Sequence, residues 1–343
     1  LVGWFDPQVA LLLAQDDFGK PFPTPFLAAA IAIYAAHLIH GATVSTFQAR
    51  RIAQYHIHRL IGEGAMGKVF EAEHLLLRRD CAIKLIRPQY CADDHALQRF
   101  EREVRATAQL THPHTIEVFD YGQTKDGVFF YVMELLPGMN LREIVNTSGP
   151  MPPARAVHFL VEVCEALEEA HNKGLIHRDI KPANIFASQR GGIYDFTKLL
   201  DFGVVRELQG VPSLVGGSEL VTGTPAFMSP EQITAPTHID ARADIYGVGA
   251  VAYYLLTGRP AFDGESPMDV MLAQVNQTPD DPSTHLAAIP ADLESVVMRC
   301  LCKNVDRRIA TAKQLKSEFL NCDCAGMWTQ DDAVAWWREQ GTM

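Results

Sequence analysis

The sequence predicts an α+β protein of two lobes, a small strand-rich one followed by a larger helical one. Three observations carry this. Short β-branched and aromatic runs alternate with turns from Tyr55 onward. Long helical stretches take over from about Ala154. A glycine-rich turn, Gly62 to Val69, is flanked by strands and opens no helix. At 343 residues the chain has the length of roughly two units of ~150 residues.

Composition narrows the function classes. With 48% hydrophobic and 21% charged residues, a disordered chain, a collagen-like repeat and a small disulfide scaffold are excluded. Lys plus Arg number 30 against 41 Asp plus Glu, a net charge of −11 that repels a phosphate backbone. Nucleic acid is therefore not an expected partner, although a local basic pocket for one nucleotide is compatible. Seven cysteines, an odd count, point to a reducing compartment. Cys300/Cys302 and Cys322/Cys324 lack metal-ligand spacing and read as free thiols.

Along the chain, the first residue is Leu1, so residues 1–25 read as a truncated N-terminal segment holding Asp16, Asp17, Pro21, Pro23 and Pro25. Phe26 to Val44 then runs 19 residues without Asp, Glu, Lys or Arg. Two readings stand. One is a transmembrane helix, with a juxtamembrane linker at 45–54. Arg50, Arg51 and Arg59 on the far side would place the rest of the chain in the cytoplasm. The other is a buried or amphipathic helix, because His37, His40 and many alanines weaken insertion; the protein is then cytoplasmic.

Gly62-Glu63-Gly64-Ala65-Met66-Gly67-Lys68-Val69 reads G-x-G-x-x-G-x-V. Glycines let a backbone approach phosphates closely. A dinucleotide fold shares the spacing but requires a helix straight after it. Here Val69-Phe70-Glu71-Ala72 continues as a strand and Cys81 to Ile86 supplies another, giving a hairpin lid. Lys84 lies between Ala82, Ile83, Leu85 and Ile86, so a buried ammonium facing an anion is expected. Farther on stand His177-Arg178-Asp179-Ile180-Lys181-Pro182-Ala183-Asn184 and Asp201-Phe202-Gly203.

With these motifs in this order, the sequence resembles the eukaryotic-type (Hanks-type) bacterial serine/threonine protein kinases over about Tyr55 to Leu320. The resemblance implies the two-lobed protein kinase fold, with a β-rich N-lobe at 55–134 carrying one key helix, and a helical C-lobe at 139–320. It implies ATP with Mg2+, or Mn2+ in its place, as cofactors, and Ser/Thr-bearing proteins as substrates. Ile61, Gly62, Gly64, Gly67 and Val69 would cover the nucleotide, Lys84 would pair its phosphates, and Glu103 of the N-lobe helix would hold Lys84, with Glu101 the competing carboxylate. Asp179 would accept the proton of the attacking hydroxyl, Lys181 would meet the transferring phosphoryl group, and Asn184 and Asp201 would hold metal. Val69 and Ala82 would roof the adenine and Phe186 would floor it. Met133 would be the gatekeeper, and Glu134 and Leu136 would offer hinge backbone.

Lys181 beside Asp179, and Gly223 to Glu231, match the Ser/Thr pattern of the family. Thr224 would shape the acceptor site, Glu231 would pair with Arg308, and Asp244 would brace the catalytic loop. Arg178 reads as a buried cation seeking an anion, which implies regulation by phosphorylation at Ser218, with Thr222 next, and dimerisation for trans-autophosphorylation. Departures from the family are Cys81 for Val, Asn304-Val305 for Asp-Pro, and a long hairpin at 191–198; none removes a chemical group. A nucleotide-binding pseudokinase-like scaffold or sensor is the alternative, against which Lys84, Asp179 and Asp201 are all retained. A small-molecule kinase is the weaker third. In the tail, 321–343, residues 331–340 predict a helix with Val334 and Trp337 on one face, packing on the main body or binding a partner.

Overall fold

The structure is a computed structural model that describes residues 54–64, 67–87, 94–124, 127–202 and 225–341, without side chains at 94–97, 99, 100 and 103. The span 26–44, the side chain of Glu103, Ser218, Thr222 and Thr224 lie outside the described residues. Among the described residues no helix is long and apolar enough to cross a membrane.

The small lobe is a five-stranded antiparallel sheet in the order β1-β2-β3-β5-β4. Its strands are β1 (Tyr55–Gly64), β2 (Gly67–His74), β3 (Arg79–Ile86), β4 (Val118–Gln123) and β5 (Phe129–Glu134), with helix α1 (Asp94–Ala108) between β3 and β4. Register matters most for the site. Val69 on β2 lies opposite Lys84 on β3, Lys84 opposite Tyr131 on β5, and Tyr131 opposite Tyr121 on β4. Directly opposed residues of an antiparallel sheet share a face, so these four form one row. Ala82 pairs with Met133 in the same way, and both belong to the small-lobe core with Ile86, Val104 and Phe129.

The large lobe begins where expected, near 139, but its first helix comes before the expected helical onset near Ala154. Strand β6 (Gly138–Asn140) is followed at once by α2 (Leu141–Ser148), started by a capping box between Asn140 and Glu143. Helix α3 (Pro153–Asn172) opens on a proline at its first position and buries Phe159, Leu160, Val163 and Leu167. Strands β7 (Ile185–Arg190) and β8 (Ile193–Leu199) form a hairpin beside β6, and α4 (Pro230–Thr234), α5 (Arg242–Thr257), α6 (Pro267–Asn276), α7 (Ala291–Cys300) and α8 (Ala312–Leu320) complete the lobe.

Close approach explains two glycines of α5. A Cβ on Gly249 would sit 2.4 Å from the Cys300 Cβ on α7, and one on Gly247 would sit 2.9 Å from the Ile180 Cβ beside Asp179. The lobes meet where Thr115 bridges Leu199, with Ile116 N donating to Leu199 O at 3.0 Å and Leu199 N to His114 O at 2.7 Å. Helix α9 (Gln330–Glu339) packs on β8, burying Ala333 and Trp337. Its register differs from the expected one: Val334 is half-buried, because the i, i+4 pair Ala333/Trp337 lies closest to the lobe.

Candidate active site

Two groups of polar side chains meet near the junction of the lobes. The first is built on the small sheet. Lys84 is only 7% exposed on β3, and its Nζ donates to Asp201 Oδ2 at 2.6 Å. Tyr131, opposite it on β5, donates its hydroxyl to Asp201 Oδ1 at 2.5 Å. Burial by itself raises the Asp201 carboxyl, but the Lys84 ammonium and the bonds from Lys84 and Tyr131 pull it below its ordinary value. Burial, with the Asp201 charge, pushes the Tyr131 phenol well above its ordinary value, so it remains a donor.

The second group lies on the loop after α3. Lys181 Nζ donates to Asp179 Oδ2 at 2.7 Å, and Asn184 Nδ2 donates to the same oxygen at 3.0 Å and to Asp179 O at 2.9 Å. A short turn at Pro182–Asn184 brings the asparagine back onto the aspartate. The backbone is fixed from beneath by Asp244, which accepts from His177 N, Arg178 N and His171 Nε2, each at 2.8 Å. This is the brace expected of Asp244. Burial keeps His177 neutral, and its neighbours select the tautomer: Asp179 N donates to Nδ1 at 3.2 Å, so Nε2–H donates to Leu200 O at 2.8 Å.

Leu200 joins the groups, since its N donates to Asn184 O at 2.8 Å and Asp201 follows it in the chain. Asp201 and Arg178 adopt φ of 55° and 62°, left-handed conformations that cost side-chain-bearing residues of order 1 kcal/mol and collect at functional sites.

Other expected positions fall as follows. Val69 is half-buried in the Lys84 row, Ala82 and Met133 are buried beside it, and Leu136 packs against the same core. Ile61 is 40% exposed within β1, just before Gly62. Phe186 lies on β7 opposite Lys198. Gly67 differs from Gly62 and Gly64, because a Cβ there would lie 2.0 Å from Leu85 O, whereas Gly64 has open space. Arg178 is half-buried, where the sequence predicted a buried cation; its backbone is held by Asp244 and by Gln232 Nε2, which donates to Arg178 O at 2.7 Å.

Glu231 and Arg308 form the expected pair, with bonds of 2.6 and 3.1 Å. Ser229 caps α4 in a reciprocal box with Gln232, which gives that serine a structural reason. Sequence reasoning missed Tyr131 and Lys198. Lys198, 2% exposed, donates to Glu134 Oε1 at 2.5 Å and ties the hinge to β8. The signal for Tyr131 was available: in Phe129–Glu134 it is the polar tip two residues before Met133, hence on the same face.

A lysine on a small sheet, paired with a carboxylate that leads out of the large lobe's hairpin and backed by an Asp-x-Lys-x-x-Asn loop, defines a two-lobed protein kinase. A family model described as the protein kinase domain matches residues 55–320, and the chain belongs to that family. Among curated proteins it is 38% identical over 270 residues to the serine/threonine-protein kinase PknB of Mycolicibacterium smegmatis, covering 78% of this chain and 42% of that protein. It is 37% identical over 275 residues to the serine/threonine-protein kinase pkn3 of Myxococcus xanthus, covering 79% and 50%. The chain thus spans half or less of the length of these relatives. Among solved structures, the kinase domain of Mycobacterium tuberculosis PknI matches with a TM-score of 0.62 at 28% identity, over 78% of this chain and 95% of that one.

Proposed function

We propose that this chain transfers the γ-phosphoryl group of Mg-ATP to Ser and Thr hydroxyls of proteins. The observation that carries the reading is the 2.6 Å contact between Lys84 and Asp201, which brings a small-lobe cation and a large-lobe carboxylate together. The donor set fits a hard divalent cation: Asp201 offers carboxylate oxygen, and Asn184, whose amide nitrogen is used on Asp179, has its amide oxygen to give. Magnesium held by these two would neutralise charge on the β- and γ-phosphates.

In the proposed reaction Asp179 accepts the proton of the acceptor hydroxyl as its oxygen bonds to the γ-phosphorus. The bond to the bridging oxygen breaks, and that oxygen leaves on ADP. Lys181, 2.7 Å from Asp179, supplies positive charge beside the transferring group. Lys84 would orient the α- and β-phosphates, and Val69, Ala82 and Met133 would wall the base. Control by phosphorylation at Ser218 or Thr222, on a second copy of the chain, belongs to the same reading. So does anchoring through 26–44 with the kinase domain in the cytoplasm, supported by the uncharged run and the arginines after it.

Intact-mass spectrometry of the purified chain, before and after ATP with Mg2+, tests the proposal beside Asp179→Asn. Mass steps of one phosphate in the parent and none in the variant are expected. Nucleotide binding without any phosphate on the chain or on a protein substrate would overturn transfer in favour of a scaffold. Peptide mapping of the product tests Ser218, and fractionation of membranes with and without 26–44 tests the anchor.

A further inference from the structure

We infer that Tyr131 is a positioning residue for Asp201, fixing the rotation of that carboxylate so that metal binding is coupled to nucleotide binding. This rests on the phosphotransfer reading above. The sheet register places Tyr131 directly opposite Lys84, and the two side chains divide one carboxylate between them, Lys84 on Oδ2 at 2.6 Å and Tyr131 on Oδ1 at 2.5 Å.

The two donors are not equivalent. Lys84 has a second duty at the nucleotide phosphates, so its hold on Oδ2 is shared or released when nucleotide enters. Tyr131 is an uncharged donor, 5% exposed, packed in the small-lobe core with Phe129 and Met133. A carboxylate oxygen carries two lone pairs, so Oδ1 can keep the tyrosine proton and still face a cation. Tyr131 therefore keeps Asp201 in one orientation while Lys84 turns. Its own place is set by the row it belongs to. Next along is Tyr121, whose hydroxyl accepts from Arg105 Nε of α1 at 2.7 Å.

The test is the affinity of the full chain for ADP, read by calorimetry with and without Mg2+. The ratio of the two dissociation constants measures the coupling without any turnover. Tyr131→Phe removes only the hydroxyl, and should cut the ratio about tenfold, as loss of a hydrogen bond to a charged group predicts, with metal-free affinity within about twofold. Tyr131→Gln, which keeps a donor, should recover part of it and serves if the phenylalanine variant does not fold. Tyr121→Phe, which loses its bond to Arg105 and leaves Asp201 alone, should keep the parent ratio. An unchanged ratio in Tyr131→Phe, or an equal loss in Tyr121→Phe, overturns the inference while leaving the proposed function intact. A parent that binds no ADP overturns both.

Discussion

Lys198 holds a charge at 2% exposure, which is tenable because Glu134 Oε1 lies 2.5 Å away and Thr115 O accepts a second bond at 3.1 Å. Burial lowers its pKa and Glu134 opposes that. Lys198→Met would leave Glu134 with the 3.0 Å bond from Glu117 N and, for positive charge, the longer 3.7 Å contact to Arg190. The expected cost is about 3 kcal/mol in denaturant unfolding, and Lys198→Met/Glu134→Gln should lose less than the sum of the single changes. Strict additivity would show that the pair does not couple. This contact also marks the reach of sequence reading. Asp179, Lys181 and Asn184 lie within six residues, so their spacing shows that they converge. Lys198 and Glu134 are 64 residues apart, and nothing local to either names the other.

At the level of elements, the glycine-rich hairpin divides its labour. Gly67 sits against the β3 backbone, where Gly67→Ala would place a Cβ 2.0 Å from Leu85 O, while Gly64 faces open space. Gly67→Ala should therefore cost about 2 kcal/mol or more in unfolding free energy. Gly64→Ala should stay within about 0.5 kcal/mol and weaken nucleotide binding instead. Equal stability losses would contradict this division. The sequence motif treats the glycines alike because the register that separates them is set by β3.

Helix α3 offers a second case. Glu169 accepts from Thr111 N at 3.0 Å and His112 N at 2.9 Å, anchoring the segment between α1 and β4. Burial alone would raise its carboxyl, but bonds from Lys173, Thr111 and His112 lower it from 4.5 to about 2. The folded state then binds fewer protons than the unfolded state between those values. The contribution is full above pH 4.5 and is lost as pH falls towards 2. Glu169→Gln should lower neutral stability by about 2 kcal/mol and flatten the acid limb in that window. An acid limb as steep as the parent's would refute the assignment.

The whole molecule includes a segment that the family match at 55–320 does not cover, and its anchorage is chemically specific. Asp195, 0% exposed and at φ 53°, accepts from Arg155 Nε and Nη2 at 2.9 Å each, from Trp328 Nε1 at 2.9 Å and from Trp337 Nε1 at 2.7 Å. The Arg155 guanidinium also stacks 3.8 Å from the Trp336 ring centroid. All three tryptophans belong to the tail, so the buried ion pair is completed only when the tail is docked. Asp195 lies on β8, in the hairpin that runs from Asn184 to the Leu200-Asp201 segment, and bracing its far side steadies both proposed metal ligands. Ending the chain after Leu320 would strip two N–H donors from a buried carboxylate and expose Arg155. Unfolding should cost at least about 3 kcal/mol less than in the parent. Trp337→Phe keeps a smaller aromatic ring but not the N–H donor, and should account for about 1 to 3 kcal/mol of that. If truncation leaves the denaturant midpoint unchanged, the tail is an appendage; if Trp337→Phe alone is neutral, packing and not the Asp195 bond secures it.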